Sequence, residues 1–247
     1  MSEALTAKTI TITGSGGDEI EAYLATPDDG ASSRGSVVVI HHMPGYDSST
    51  KEIVRKFAAH GYAALMPNLY YREAPGASPD DAAATARANG GVPDARLVGD
   101  VGGAADYLRG LAGSNGKVGV IGDCSGGRQS FLAACSLQLD AAVDCYGACI
   151  VNPPPEGHPL HGIPALVNRA ADLSCPLLGL FGREDTHPSP EEVGELEQAL
   201  KANGKTYEFH LYDGAGHAFL QVDRPSYRPE AAVEAWQRIW DFYGRYL

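Results

Sequence analysis

The run VGVIGDCSGG sets Cys124 at the centre of Gly122-Asp123-Cys124-Ser125-Gly126, between a strand pattern and a helix pattern. A strand that turns sharply into a helix leaves no room for a side chain two residues before or after the turning residue. G-x-C-x-G is therefore the pattern of a nucleophile elbow. The same turn places the central thiol at a helix N-terminus, where unpaired N–H groups and the dipole favour an anion. A glycine-rich turn holding an inert cysteine would read the same way. Ser125, the commoner nucleophile type, would need glycine at Asp123, and that register fails. A cysteine nucleophile requires a histidine to carry protons and a carboxylate to orient it. Asp185 in FGREDTHP and His217 in DGAGHAF supply both, in the order nucleophile, acid, histidine, each directly after an apolar strand. Glu184 competes with Asp185, which would otherwise be a turn or capping aspartate, and His217 would otherwise be a loop histidine packed on Phe219.

These three residues must be carried by strand ends. KTITIT (Lys8–Thr13) and EIEAYLA (Glu19–Ala25) alternate around GSGGD and predict an opening hairpin. A polar loop from Pro27 to Gly35 leads to SVVVIHH, an unalternated β-branched run expected of a strand covered on both faces. Ser48 and Ser49 are placed to cap the helix TKEIVRKFAAHG, whose Ile53, Val54, Phe57 and Ala58 share one face and which Gly61 stops. The strand YAALMP follows, then an excursion with a short helix from Glu73 to Pro93, and a helix from about Arg96 to Leu111. Beyond the elbow come the strand LDAAVDCYG, a Pro-rich crossing from Asn152 to Pro164, the strand PLLGLFG, the helix PEEVGELEQALKANG, the strand TYEFHLYD and a helix EAAVEAWQRIWDFYGRYL. This alternation predicts an α/β fold, with a doubly wound and mainly parallel sheet whose edge is the antiparallel hairpin. No internal repeat or second hydrophobic unit interrupts it, so a single domain over 1–247 is expected.

Composition narrows the classes of function. The chain has 247 residues, 44% of them hydrophobic and 20% charged, ordinary for a soluble globular protein. No apolar run reaches the roughly 18 residues of a membrane span. With 19 Lys and Arg against 31 Asp and Glu, the formal charge is −12, which repels nucleic-acid phosphates and anionic lipid, and no basic cluster offsets it. Neither nucleic acid nor membrane is expected as a partner. MSEALTAKTITITGSGG lacks a secretory h-region, so a cytoplasmic protein is expected. The five cysteines (Cys124, Cys135, Cys145, Cys149, Cys175) contain no CxxC pair, against both a disulfide framework and a zinc site.

Over almost its whole length the chain resembles the dienelactone hydrolase family of α/β-hydrolases. The likeness rests on HHMPGYDSSTKEIVRKFAAHGYAALMPNLYYREAPG, SNGKVGVIGDCSGG, GLFGREDTHPSP and YDGAGHAF. The resemblance implies a cofactor-free Cys-Asp-His triad that opens lactone rings through a thioester, with Cys124 as nucleophile, Asp185 as acid and His217 as base. It also implies an oxyanion hole formed by the backbone N–H groups of Met43 and Ser125. His42 falls where well-studied members carry a glutamate that holds and helps to ionise the resting thiol. A thiol-modulating role is expected for it, as acceptor of the thiol proton or as an imidazolium holding a thiolate. The alternatives are a strand end packed beneath the pocket, or a metal site of His41, His42 and His187. The metal reading is disfavoured, because adjacent strand residues point to opposite faces.

Arginines bind the substrate carboxylate in this family. Arg87 matches one of them by its offset from APG, whereas Gln221, four residues after His217, stands where some relatives have the other; Arg72 and Arg224 are the candidates to compensate. All three arginines could equally be solvated surface residues. Tyr46, with Tyr70, Tyr71 and Phe219, is a candidate for the pocket wall or for ordinary packing. The expectation is a monomeric or small homo-oligomeric hydrolase of a small, carboxylate-bearing lactone or ester. A general carboxylesterase or thioesterase with the same triad, and a non-catalytic or redox-sensing module, are the competing readings.

Overall fold

The computed structural model describes residues 5–27, 34–154, 156–157 and 162–247. Most of the polar loop Pro27–Gly35 and part of the crossing Asn152–Pro164 lie outside the described residues. The chain divides into two compact units, residues 1–120 with Leu247 and residues 121–246.

In the N-terminal unit, β1 (Leu5–Thr13) and β2 (Glu19–Pro27) form the expected antiparallel hairpin, with Ile12 opposite Ile20. β2 continues antiparallel onto β4 (Ala63–Pro67), which pairs in parallel with β3 (Ser36–Ile40). Every residue of β3 and β4 is buried, which is why their sequences show no alternation. Helix α1 (Ser48–Ala59) packs Val54, Phe57 and Ala58 toward β2 and β4. Its cap is not Ser48 or Ser49 but Asp47. Asp47 is extended at φ −97 and ψ 178, so its carboxylate can accept from the Thr50 N–H at 2.8 Å, while the two serines already belong to the first turn. The excursion contains α2 (Pro79–Ala88), capped by Ser78, and α3 (Asp94–Arg109) lies along β3 and β4.

β5 (Val118–Asp123) runs from one unit into the other. In the C-terminal unit α4 (Ser125–Ala134) packs on β6 (Ala141–Cys145), β6 pairs in parallel with β7 (Leu177–Gly182), and β7 with β8 (Tyr207–Tyr212). Helix α5 (Pro190–Ala202) contacts β7 and β8, and α6 (Pro229–Tyr246) contacts β6 and β7. A Ser189–Glu192 capping box starts α5, which stops the chain from fraying just past the predicted acid loop. The eight strands follow the order β1-β2-β4-β3-β5-β6-β7-β8, a mixed α/β sheet with its parallel part where strand and helix alternate.

Candidate active site

Cys124 occupies the turn between β5 and α4 at φ 57 and ψ −122, a backbone that an L-residue holds only under constraint. Close approach imposes it: a Cβ at Gly122 would lie 2.2 Å from the Gly126 carbonyl oxygen. The Cys124 N–H donates to the Cys145 carbonyl at 3.0 Å, pinning the turn to the end of β6. The first helical acceptor is the Cys124 carbonyl, bonded by the Gly127 N–H at 3.0 Å, so the Ser125 N–H opens α4 without an intrahelical partner.

The carboxylate and imidazole come from the next two strand ends. The Arg183 N–H donates to the Tyr212 carbonyl at 3.0 Å and the Glu184 N–H to the Ala215 carbonyl at 2.9 Å, lacing the loop after β7 to the loop after β8. A Cβ on Gly182 would meet the Ala215 oxygen at 2.4 Å, so glycine permits that approach. Asp185 is buried, accepts from the His187 N–H at 2.9 Å, and takes the His217 Nδ1–H at 2.8 Å. Glu184 is exposed. With Nδ1 on Asp185, His217 is also hydrogen-bonded to Cys124, which leaves Nε2 for the sulfur. Burial by itself would depress the His217 pKa, but the hydrogen bonds to Asp185 and Cys124 outweigh it and push it up to about 10. The imidazole is thus held between a buried carboxylate and a thiol, an arrangement able to carry a proton.

The other cysteines lack this environment. Burial pushes Cys135 and Cys175 up to about 12, carries Cys145 well above its ordinary value, and raises Cys149.

Two residues near the triad escaped the sequence reading. Tyr146, fully buried at φ 43, stands edge-on to His217 at 5.2 Å and to Phe219 at 5.4 Å. Asp123 is buried and accepts from the Gln221 amide and, at 3.4 Å, from the Tyr146 hydroxyl. A Tyr-Gly pair directly after a strand was the only sequence signal for Tyr146.

The remaining expected site residues lie in the N-terminal unit, apart from Arg224. His42 is buried and its Nε2 bonds Asp47 at 2.8 Å. Burial would raise Asp47, but hydrogen bonds from His42 and Thr50 bring it down to about 2. Met43 is the second residue of a turn closed by the Gly45 N–H on the His42 carbonyl, so its own N–H is outside that bond. His41 donates Nδ1–H to the His42 carbonyl at 2.9 Å and accepts the Leu69 N–H on Nε2 at 3.2 Å. Burial lowers its pKa to about 4, so it is a neutral structural bracket with both nitrogens engaged. No group of three metal-ligating side chains occurs among the described residues.

Tyr46 is buried beneath the Lys51 ammonium, 4.0 Å from its ring centre. Arg72 is a different case from its candidacy: its guanidinium forks onto Asp100 at 2.9 and 3.0 Å and onto Asp18 at 2.8 Å. Asp100 is fully buried, so this fork holds α3 to the turn after β1 and is not available to a ligand. Arg87 is half-buried near the end of α2 with no ion-pair partner among the described residues, and Arg224 is exposed in the loop after His217.

Comparison with known proteins agrees with this architecture. A "putative carboxymethylenebutenolidase" of Yersinia pestis is 35% identical over 232 residues, 92% of this chain and 84% of that one. The carboxymethylenebutenolidase of Pseudomonas putida is 29% identical over 211 residues, 83% of this chain and 84% of that one. The crystal structure titled "putative dienelactone hydrolase" from Klebsiella pneumoniae superposes with a TM-score of 0.85 at 28% identity, covering 99% of this chain and all of that one. Residues 20–247 match the dienelactone hydrolase family, and the chain belongs to that family of α/β-fold, ester-bond hydrolases.

Proposed function

We propose that the chain is a cysteine-dependent hydrolase that opens a small lactone or ester through a thioester. The hydrogen-bonded sequence Cys124–His217–Asp185 carries this reading. In the first half-reaction the Cys124 sulfur, its proton resting on His217, bonds to the substrate carbonyl carbon. The oxyanion develops against the Ser125 N–H at the start of α4, and the resemblance assigns the second donor to the Met43 N–H. The carbon–oxygen bond then breaks, and the His217 imidazolium gives its proton to the departing oxygen, which in a lactone stays tethered to the acyl group. In the second half-reaction His217 takes a proton from water, the hydroxide attacks the thioester carbonyl, and the hydroxy acid leaves as the sulfur is restored. Asp185 holds the imidazole in the required orientation throughout. The resemblance extends a thiol-modulating role to His42, whose ring Asp47 fixes through Nε2.

A carboxylate-bearing substrate approaching a chain of charge −12 needs a local cation; Arg72 is engaged by Asp100 and Asp18, and Arg87, matched by its offset from APG, is the leading candidate ahead of the exposed Arg224. The reading of a general carboxylesterase is favoured by a different observation: Gln221 stands where some relatives have arginine, and its amide is engaged by Asp123. The two are separated by turnover of a carboxylate-bearing lactone and its methyl ester by parental protein and Arg87→Ala. A preference for the acid that Arg87→Ala removes through KM supports the dienelactone reading. Equal turnover, equally affected, supports the carboxylesterase.

A further inference from the structure

We propose that Asp123, tied to Gln221 and Tyr146, is a positioning residue that joins the histidine loop to the elbow and sets the pH at which Cys124 becomes reactive. The inference rests on the cysteine-hydrolase reading of the same site. Asp123 ends β5 one residue before the nucleophile and is only 5% exposed, so its carboxyl sits in a medium where a charge acts strongly on its neighbours. Its Oδ2 accepts from the Gln221 side-chain amide and from the Tyr146 hydroxyl, two neutral donors. Gln221 lies four residues beyond His217, and its amide also hydrogen-bonds Tyr146. One carboxylate thereby links three segments: the elbow, the exit of β6 and the loop bearing the base.

Asp123 acts on Cys145 and Tyr146 at the end of β6 and its exit; Asp144 also acts on Cys145, Cys124 on the same turn acts on Tyr146, and His217 meets Tyr146 edge-on. Burial is the main force raising the Cys145 and Tyr146 pKa values, and the Asp123 charge adds to both. A negative charge that reaches those groups opposes negative charge on the adjoining sulfur as well. Gln221 is the side chain that gives this carboxylate a donor without supplying a cation, where an arginine would neutralise it.

The test is iodoacetamide alkylation of Cys124 as a function of pH, read by mass spectrometry, with kcat and KM for one aryl ester. Asp123→Asn removes the charge and is expected to move the alkylation midpoint down by about one pH unit. Gln221→Glu adds a facing carboxylate and is expected to move it up. Gln221→Leu keeps the charge but loses the tie, and is expected to lower kcat about tenfold with KM little changed. Should Asp123→Asn not fold, as judged by thermal melting, the two Gln221 variants carry the test. Folded variants whose midpoints and kcat stay at parental values overturn the proposal. Retention of hydrolysis by Cys124→Ala instead overturns the reading beneath it.

Discussion

Two histidine–aspartate pairs, one in each unit, have the same 2.8 Å contact and opposite surroundings. In the pair His42–Asp47 the imidazole side chain is 6% exposed and the carboxylate 24%. In His217–Asp185 the imidazole is 35% exposed and the carboxylate 2%. The bonded nitrogens also differ, Nε2 in the first pair and Nδ1 in the second. A buried carboxylate behind a partly exposed ring anchors an imidazole that solvent or a ligand can still reach, as the proposed proton carrier requires. A buried ring tied to a carboxylate that also caps α1 secures a strand end to a helix. An identical contact distance therefore says little about role, and the difference in burial says more.

The comparison breaks most sharply at the pair proposed to be catalytic. His217→Ala and Cys124→Ala are each expected to lower kcat at least about a thousandfold, because triad members act as a unit. If either retains near-parental turnover, the C-terminal pair is no more catalytic than its counterpart. Asp185→Asn is expected to cost about a hundredfold or more by misorienting the ring, while the exposed Glu184→Gln stays close to parental. Equal damage from the two would detach the acid role from Asp185.

A smaller effect is expected for Asp47→Ala, which removes the cap of α1. Loss of an N-cap costs about 1 kcal/mol, or roughly 2–4 °C in Tm for a chain of this size. Its effect on kcat is expected to be slight beside that of Asp185→Asn, and a kcat loss as large would assign the His42 pair a share in the chemistry.

The pairs should also fail at opposite ends of the pH scale. His217 is raised above its unfolded value of 6.5 to about 10, so its contribution to stability is complete below 6.5 and is lost as pH rises through about 10. Asp47 is depressed from 3.8 to about 2, so its contribution is present above 3.8 and is lost as pH falls through about 2. Thermal melts of Asp185→Asn and Asp47→Asn against pH check this: the parental advantage over the first should shrink at alkaline pH, and over the second at acid pH. The same sign for both would show that burial does not separate them.

Much of the elbow was legible in the residues themselves. Gly122 stands two residues before Cys124 because a Cβ there would strike the Gly126 backbone, a local steric rule that needs no knowledge of distant segments. Apolar runs likewise fixed which segments became β3, β5 and β7, since burial on both faces leaves a continuous signature. The order of Cys124, Asp185 and His217 was equally readable, but their hydrogen bonds were not. Those depend on parallel pairing of β7 with β8 and on the Gly182–Ala215 approach, contacts between residues far apart in sequence. The same limit explains the misses. Three aspartates next to plausible partners, Asp47, Asp100 and Asp123, became a helix cap, an arginine fork and a tie to Gln221 one residue before Cys124. A carboxylate has the same chemistry wherever it stands in a sequence. Only the folded neighbourhood, by supplying donors and removing water, decided which of these charges caps a helix, which pairs with an arginine and which adjoins a thiol.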